Sequence, residues 1–228
     1  MDHVDLDIVR KICKEKHYLH RVPHIKASYG LYRENLLMGI VTFGIPPSPQ
    51  LMNICGKEYK KNVLELNRLW CYDESPKNSE SFLIANAIKL LKNDHPEIKI
   101  LVSFADTREG HLGYVYQATN WYFTGYSVSG GGTIVIKGEE HHPKSLNNKY
   151  GTSELSKLKQ ILKTEDIFYR PRSKKCRYVK FISNKRENKK LMSLCKFEIK
   201  NFYPKKLPNE TEYKSIRQKL SEEKVNRL

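Results

Sequence analysis

Two short stretches of this 228-residue chain carry side chains suited to chemistry. His17, His20 and His24 lie close together, and with Asp106 they supply the imidazole and carboxylate donors that suit Fe(II) when coordination positions stay open. Asp106 falls just past an expected strand at 98–104, where ligands gather in open α/β sheets. Its plainer reading is a cap for a helix beginning near His111. The second stretch is the turn Ser75-Pro76-Lys77-Asn78-Ser79-Glu80-Ser81, which sets backbone N–H groups, hydroxyls and a lysine at the start of an expected helix. Such a place binds phosphate, although Ser and Asn before a helix also serve as plain caps. There is no G-x-x-x-x-G-K-[ST] loop and no G-x-G-x-x-G fingerprint, which argues against a P-loop nucleotidase or a dinucleotide-binding dehydrogenase.

The charge distribution points to a polyanion. Lys and Arg number 41 against 25 Asp and Glu, a net charge of +16. Residues 1–144 hold 18 basic and 16 acidic side chains (+2), whereas 145–228 hold 23 and 9 (+14). A solvated basic tail is the bland explanation. Aromatics interleave the run, as in Phe168-Tyr169-Arg170, Arg177-Tyr178 and Phe202-Tyr203, which favours nucleic acid over a membrane. The expected phosphate contacts are Lys174, Lys175, Arg177, Lys185, Arg186, Lys189 and Lys190. Trp121, Tyr178 and Tyr203 have the rings to stack on a base, but aromatics in strands more often build core.

The elements that must position these groups follow from periodicity. Apolar spacing predicts a helix over 8–20 that Pro23 stops, strands at 27–33 and 36–44 about Glu34-Asn35, and a loop from Pro46 to about 61. A strand at 63–72 alternates apolar and polar residues and leaves Glu65 and Arg68 needing partners. A helix then carries Ile84, Ala87, Ile88 and Leu91; the strand at 98–104 follows, and a short helix within 110–120. Residues 121–128 and 133–137 are expected to form a hairpin about Gly130-Gly131-Gly132. Beyond Pro143 the pattern predicts a helix at 153–163, a strand at 176–183, a very basic helix at 184–195 and a polar, helix-prone end at 209–228. The fold class is α/β or α+β with a mixed sheet. The division expected is a catalytic core at 1–148 and a basic region at 149–228. With no apolar stretch of 18 residues and an acidic N-terminus, the protein is expected to be cytoplasmic. Five widely spaced cysteines without a C-x-x-C pair support neither a disulfide framework nor a zinc knuckle.

Taken together, the runs Glu65-Leu66-Asn67-Arg68-Leu69-Trp70, Pro76-Lys77-Asn78-Ser79, Ser103-Phe104-Ala105-Asp106-Thr107, Gly110-His111-Leu112-Gly113, Tyr116-Gln117-Ala118-Thr119-Asn120-Trp121 and Arg177-Tyr178-Val179-Lys180-Phe181 resemble the Mom family of phage adenine-modification proteins, over about residues 10–205. The resemblance implies a fold like that of the GNAT acyltransferases: a mostly antiparallel sheet with helices on both faces, and two strands that splay to admit an acyl-coenzyme A. It implies conversion of adenine in DNA to an N6-(carbamoylmethyl) derivative that protects phage DNA from host restriction. By position, Arg68, Ser81 and Tyr116 match residues linked to acetyl-coenzyme A, with Lys77, Asn78 and Ser79 in the adjoining turn. His17, Tyr18 and Asp106 match residues linked to catalysis and to a proposed iron. One departure is plain: ordinary GNAT enzymes carry a Gln/Arg-x-x-Gly-x-Gly/Ala loop for the pyrophosphate, where this chain has Lys77-Asn78-Ser79-Glu80-Ser81.

The chemistry expected is acid–base. Adenine N6 is a weak nucleophile, so a base must take its proton; Asp106 is the candidate, with Tyr116 as donor to a leaving thiolate or an oxyanion. The base must also leave the duplex stack. Two rival readings are an acyltransferase acting on a protein or RNA amine and a non-enzymatic DNA-binding protein on the same scaffold. A homodimer is compatible with either.

Overall fold

The computed structural model describes residues 1–127, 131–171 and 173–207; the polar, helix-prone end at 209–228, expected to be helical or disordered, lies outside them. Two compact units emerge, Met1–Gly125 with Cys176 onward, and Tyr126–Lys175. The division at 148 does not coincide with these units, because the chain returns to the first unit at Cys176.

The first unit is built on a seven-stranded sheet. Its strands are β1 (Asp2–His3), β2 (Ala27–Arg33), β3 (Leu36–Gly44), β4 (Val63–Cys71), β5 (Ile100–Asp106), β6 (Tyr122–Tyr126) and β10 (Lys175–Phe181), in the order β1-β2-β3-β4-β5-β10-β6. β2 and β3 form the hairpin expected of them, since Glu34 and Asn35 both take positive φ, as a two-residue turn of matching twist requires. The pairs from β1 to β4 are antiparallel, while β4 and β5 run parallel.

Helices cover both faces of this sheet. α1 (Leu6–Glu15) begins where Asp5 accepts the N–H groups of Asp7 and Ile8, and it buries Val9, Ile12 and Cys13 against Ile40 of β3. It stops short of the expected position 20, because Lys16 and His17 both donate to the Ile12 carbonyl and His20 takes a positive φ. α3 (Ser79–Asp94) lies on the opposite face, where Tyr29, the neighbour of Val41 across the hairpin, donates its hydroxyl to Asp94. α3 buries Leu83, Ile84, Ala87, Ile88 and Leu91, and truncating any of the large ones would cost about 2–5 kcal/mol. α4 (Tyr114–Ala118) is the short helix expected within 110–120.

Residues 46–61 fold more than the sequence suggested. Ser48 caps α2 (Pro49–Met52), where proline at the first helical position loses no hydrogen bond, and a 3-10 helix follows at Lys57–Asn62. Ile54 and Cys55 sit in a core with Val63, Ile100, Val102, Val179 and Phe181 of the sheet and Leu191 of α7 (Lys185–Leu194).

The second unit contains β7 (Gly132–Ile136), β8 (Glu139–His141) and β9 (Ile167–Pro171) in a three-stranded antiparallel sheet of order β8-β7-β9, with α5 (Pro143–Tyr150) and α6 (Leu155–Leu162) burying Leu146 and Leu158 against Ile134 and Ile167. The expected hairpin of 121–128 with 133–137 therefore does not form. β6 joins the large sheet beside β10, and β7 pairs with β8 and β9 instead. Trp121 and Tyr178 are fully buried, so they are core and not base-stacking surface.

Candidate active site at a fork between two parallel strands

β4 and β5 pair only through Val63–Ile100, Leu64–Leu101 and Glu65–Val102. Beyond Glu65 the two strands are no longer paired, which leaves an opening between Leu66–Cys71 and Ser103–Asp106. Ser103 marks the apex: its Oγ lies 2.8 Å from the Leu66 carbonyl and 2.7 Å from the Tyr116 hydroxyl. A carbonyl only accepts, so the serine proton goes to Leu66 and the Tyr116 O–H points at Ser103 Oγ. Burial pushes the Tyr116 phenol up to about 12, against the pull of the Ser103 hydroxyl, and Tyr18 and Glu65 add to the rise. Tyr116 is thus a protonated phenol at the floor of the fork.

The segment after α1 is strapped across β4 by two side chains. Arg68 Nε and Nη2 donate to the Arg21 carbonyl at 3.2 and 2.9 Å, and its Nη1 donates to the Asn67 carbonyl. Asn67 takes the Thr42 hydroxyl and donates to the His24 carbonyl at 2.9 Å. Arg68 so finds the partners its half-buried position demanded, and Asn67, which sequence reading passed over, shares the work. The strap brings in His17 and Tyr18, whose rings stack at 4.5 Å, with His111 6.0 Å beyond Tyr18.

The protonation states follow from this packing. His17 is 4% exposed; burial first, then the charges of Arg68, His20 and His111, lowers its pKa to about 4. Its Nδ1 accepts the Leu19 N–H at 3.1 Å, so the neutral ring carries its proton on Nε2. The Tyr18 phenol is pushed up by burial, then by the charges of Asp106 and Glu109, with Arg68 opposing. Asp106 is the last residue of β5, not one just beyond it. Its Oδ1 accepts the Arg108 N–H at 3.1 Å, so it caps the turn Thr107–Glu109 and not the helix expected near His111, which begins at Tyr114 behind Gly113.

Iron does not fit this donor set. Among the described residues no group of three or more His, Cys, Asp or Glu side chains is placed to hold a metal ion. His17 offers a nitrogen that already accepts a backbone proton and another that carries one. His20 Nδ1 is engaged with the Lys14 carbonyl.

The phosphate turn behaves differently from the expectation drawn for it. Asn78 takes a left-handed conformation without capping the helix, Ser79 donates to the Pro76 carbonyl at 2.6 Å, and Ser81 donates to the Asn78 carbonyl at 2.9 Å. Asn78 and Ser81 open onto a cavity of about 540 Å³ that also meets Phe82, Thr119, Asn120 and Lys180. Lys180 Nζ donates to the Thr119 and Asn120 carbonyls at 2.8 and 3.3 Å, and burial lowers its pKa. Lys77 and Ser79 line a separate cavity of about 340 Å³ with Arg33 and Met38. The cofactor residues read from the sequence therefore divide in part: Arg68 and Tyr116 stand at the fork, Ser81 at one cavity and Lys77 and Ser79 at the other, while Asn78 lines both cavities. Lys180 was missed, because nothing in a strand pattern shows which carbonyls a lysine will meet.

The basic residues divide too. Arg177 is half-buried, with its guanidinium 3.4 Å from the Phe197 ring centre and donating to Thr124 Oγ1 and O at 3.0 and 2.7 Å. Burial lowers its pKa to about 10. It is a packing residue and not a phosphate contact. Lys174 and Lys175 belong to the second unit, whereas Lys185, Arg186, Lys189 and Lys190 are exposed along α7.

A fork of this kind, floored by a phenol and closed by a histidine, a tyrosine and an aspartate, sits in a chain whose residues 1–205 match the Mom protein family, and the chain belongs to that family. The methylcarbamoylase mom of Escherichia phage Mu is 30% identical over 188 residues, which is 81% of this chain and 75% of the phage Mu protein. Among solved structures, an acetyltransferase of the GNAT family from Streptococcus pneumoniae is similar at a TM-score of 0.40 and 11% identity, over 69% of this chain and 66% of that one. A putative acetyltransferase from Salmonella typhimurium, solved with acetyl-CoA, is similar at a TM-score of 0.40 and 8% identity, over 69% of this chain and 65% of that one. These two likenesses stop at the general layout of the chain. The sheet is mixed and the pairs from β1 to β4 are antiparallel, as expected. Among the described residues no helix is long and apolar enough to cross a membrane.

Proposed function

We propose that this chain transfers an acyl-derived group of the carbamoylmethyl type to adenine N6 in DNA, drawing on an acyl-coenzyme A, and so shields phage DNA from restriction. The observation that carries the reading is the convergence of Tyr18, Arg68, Asp106 and Tyr116 about the β4–β5 fork in a member of the Mom family related to a methylcarbamoylase. The fork supports an acyl-coenzyme A in that the strand edges beyond Glu65 and Val102 are unpaired and offer main-chain groups to its amides. The cavity of Asn78, Ser81 and Lys180 lies at the N-terminus of α3, which favours an anion such as a pyrophosphate. When bound, that group would supply an activated acyl carbon and a thiolate leaving group, and attack by N6 with loss of the thiolate gives an N6-amide; a carbamoylmethyl product is joined through CH2 and requires in addition a nitrogen donor and a two-electron oxidant at the acyl methyl, to which no residue is assigned.

The residues then have distinct tasks. Asp106 takes the N6 proton as the new bond to nitrogen forms, its carboxylate aimed by the Arg108 N–H. Tyr116, held protonated by burial with its O–H on Ser103 Oγ, turns that O–H to the departing thiolate as the C–S bond breaks. His17, neutral with its proton on Nε2, donates a hydrogen bond and does not act as base. Tyr18, 44% exposed beside Asp106, presents a ring face to an extruded base.

The test is mass spectrometry of nucleosides from plasmid DNA of bacteria expressing the chain, beside an Asp106→Asn control. A heavier deoxyadenosine that appears only with the unaltered chain is the expected result, and its mass separates acetyl from carbamoylmethyl. Unchanged nucleosides with soluble protein would overturn the reading in favour of a protein or RNA acyl acceptor.

A further inference from the structure

The exposed cations of this protein gather at a place that the charge count along the chain does not reveal. On α7, Lys185 and Lys189 are four residues apart, as are Arg186 and Lys190, so they form two adjacent rows on the solvent side of a helix whose opposite side buries Leu191. Lys190 Nζ stands 5.9 Å from the centre of the Tyr59 ring. Tyr59 belongs to the 3-10 helix Lys57–Asn62, where Lys57, Lys60 and Lys61 are all exposed. Segments about 130 positions apart in sequence thus pool seven cations on one surface.

Of the two acids in these segments, one is drawn off by a partner and the other, Glu58, stays exposed between Lys57 and Lys60. Glu187 is engaged by Lys99 at 2.5 Å and by the Ser183 hydroxyl. The Glu58 carboxylate folds back over Gly56, close enough to block a side chain there. The rows also have the right scale, since one helical turn is about 5.4 Å, close to the spacing of successive phosphates on a strand.

Position joins the patch to the fork. Tyr59 and the buried side of α7 pack on the sheet face that carries Val63, Ile100 and Val102, at the start of β4 and β5. Glu65 shares that face with Val63 by strand alternation. Asp106 closes the other end of β5, about 20 Å from Ile100 at the usual rise per residue. That distance is about six base pairs of duplex.

We propose that the surface formed by Lys57, Lys60 and Lys61 of the 3-10 helix with Lys185, Arg186, Lys189 and Lys190 of α7 is a phosphate track that holds double-stranded DNA while a base about six pairs away enters the fork. This surface rests on the reading of the chain as a DNA-modifying enzyme and adds to it the three lysines 57, 60 and 61, which lie in the near-neutral part of the sequence. The track contacts phosphates only, so it adds affinity without sequence preference.

Binding of a fluorescent 30-pair duplex to the full chain, followed by anisotropy from about 0.05 to 0.3 M salt, tests the track. Neutralising Lys57→Gln, Lys60→Gln and Lys61→Gln together should make the slope of log affinity against log salt shallower by about 2 to 3, and Lys185→Gln with Arg186→Gln and Lys189→Gln should do the same. An equal loss of charge at Lys11→Gln, Lys89→Gln and Lys92→Gln, on α1 and α3, should leave the slope within about half a unit. All these residues are exposed, and thermal melting confirms that each variant is folded. Slopes that fall equally for all three sets, or for none, or a wild type that does not bind duplex, would overturn the track. If the track variants lose their slopes while plasmid nucleosides are unmodified by the wild type, the surface stands and the proposed reaction fails.

Discussion

The two ends of β4 and β5 handle charge in opposite ways. At the fork, Arg68 is half-buried and its donors go to two backbone carbonyls, Tyr18 and Tyr116 are held protonated, and His17 is held neutral. At the other end, the lysines of the 3-10 helix and of α7 stand in solvent. Chemistry on a weak nucleophile needs protons at set places, which requires groups removed from water and oriented by neighbours. Attraction of a duplex needs only density of charge, which works through solvent. Buried ionisable groups should therefore answer to single substitutions, whereas the exposed set should answer only to several at once.

Asp106→Asn is expected to have the largest effect. The amide keeps an oxygen to accept the Arg108 N–H but cannot take a proton, so modification of adenine should fall about 10²- to 10⁴-fold. Stability should change by no more than about 1 kcal/mol, since the cap survives. Nucleoside mass spectrometry and urea unfolding on the same variant separate the two. A loss of modification with an equal loss of folded protein would make Asp106 a structural cap alone.

His17 should show its burial in the dependence of stability on pH. Its folded pKa of about 4 lies below the ordinary value of 6.5, so between those limits the unfolded chain binds the proton and the folded chain does not. Stability is then complete above pH 6.5 and declines as pH falls toward 4, by about 3 kcal/mol at most. Urea midpoints measured from pH 7 to pH 4 should flatten in His17→Asn, whose side-chain oxygen can still accept the Leu19 N–H. An unchanged slope would mean that the ring is open to water.

Legibility in the sequence follows the same contrast. Local patterns were readable: strand-like runs on either side of Glu34-Asn35 located β2 and β3 to the residue, and the turn itself needed only positive φ. Polar residues at the end of β5 marked Asp106. Convergence was not readable. Nothing in the pattern of β4 showed that Arg68 and Asn67 would bind carbonyls of the segment after α1, or that Lys57, Lys60 and Lys61 would meet α7. The glycines at 130–132 suggested a hairpin, yet β6 and β7 entered different sheets, because pairing partners come from distant strands. Arg177 looked like its basic neighbours, but burial on Phe197 and bonding to Thr124 made it part of the packing.

Arg68 sharpens the comparison further. Arg68→Met keeps much of the stem and removes three hydrogen bonds to the Arg21 and Asn67 carbonyls, which should cost about 1–3 kcal/mol and release the 17–24 segment. Trypsin should then cut at Arg21 faster than in the wild type. Arg68→Lys should restore little, because an ammonium cannot span two carbonyls in the plane that the guanidinium occupies.

The smallest effect belongs to Lys180, where the two kinds of charge meet in one side chain. Its ammonium closes the end of α4 through the Thr119 and Asn120 carbonyls, as a structural cation does, yet it also faces the cavity with Asn78 and Ser81, as a ligand contact does. If it serves only α4, Lys180→Met should lower stability by about 1 kcal/mol and leave coenzyme A binding unchanged. If it also meets a phosphate, the dissociation constant for coenzyme A, read by calorimetry, should rise about ten-fold, while that for pantetheine, which lacks the pyrophosphate, stays the same. The second outcome is expected, since a cation at the mouth of a cavity beside the N-terminus of α3 adds its charge to that of the helix.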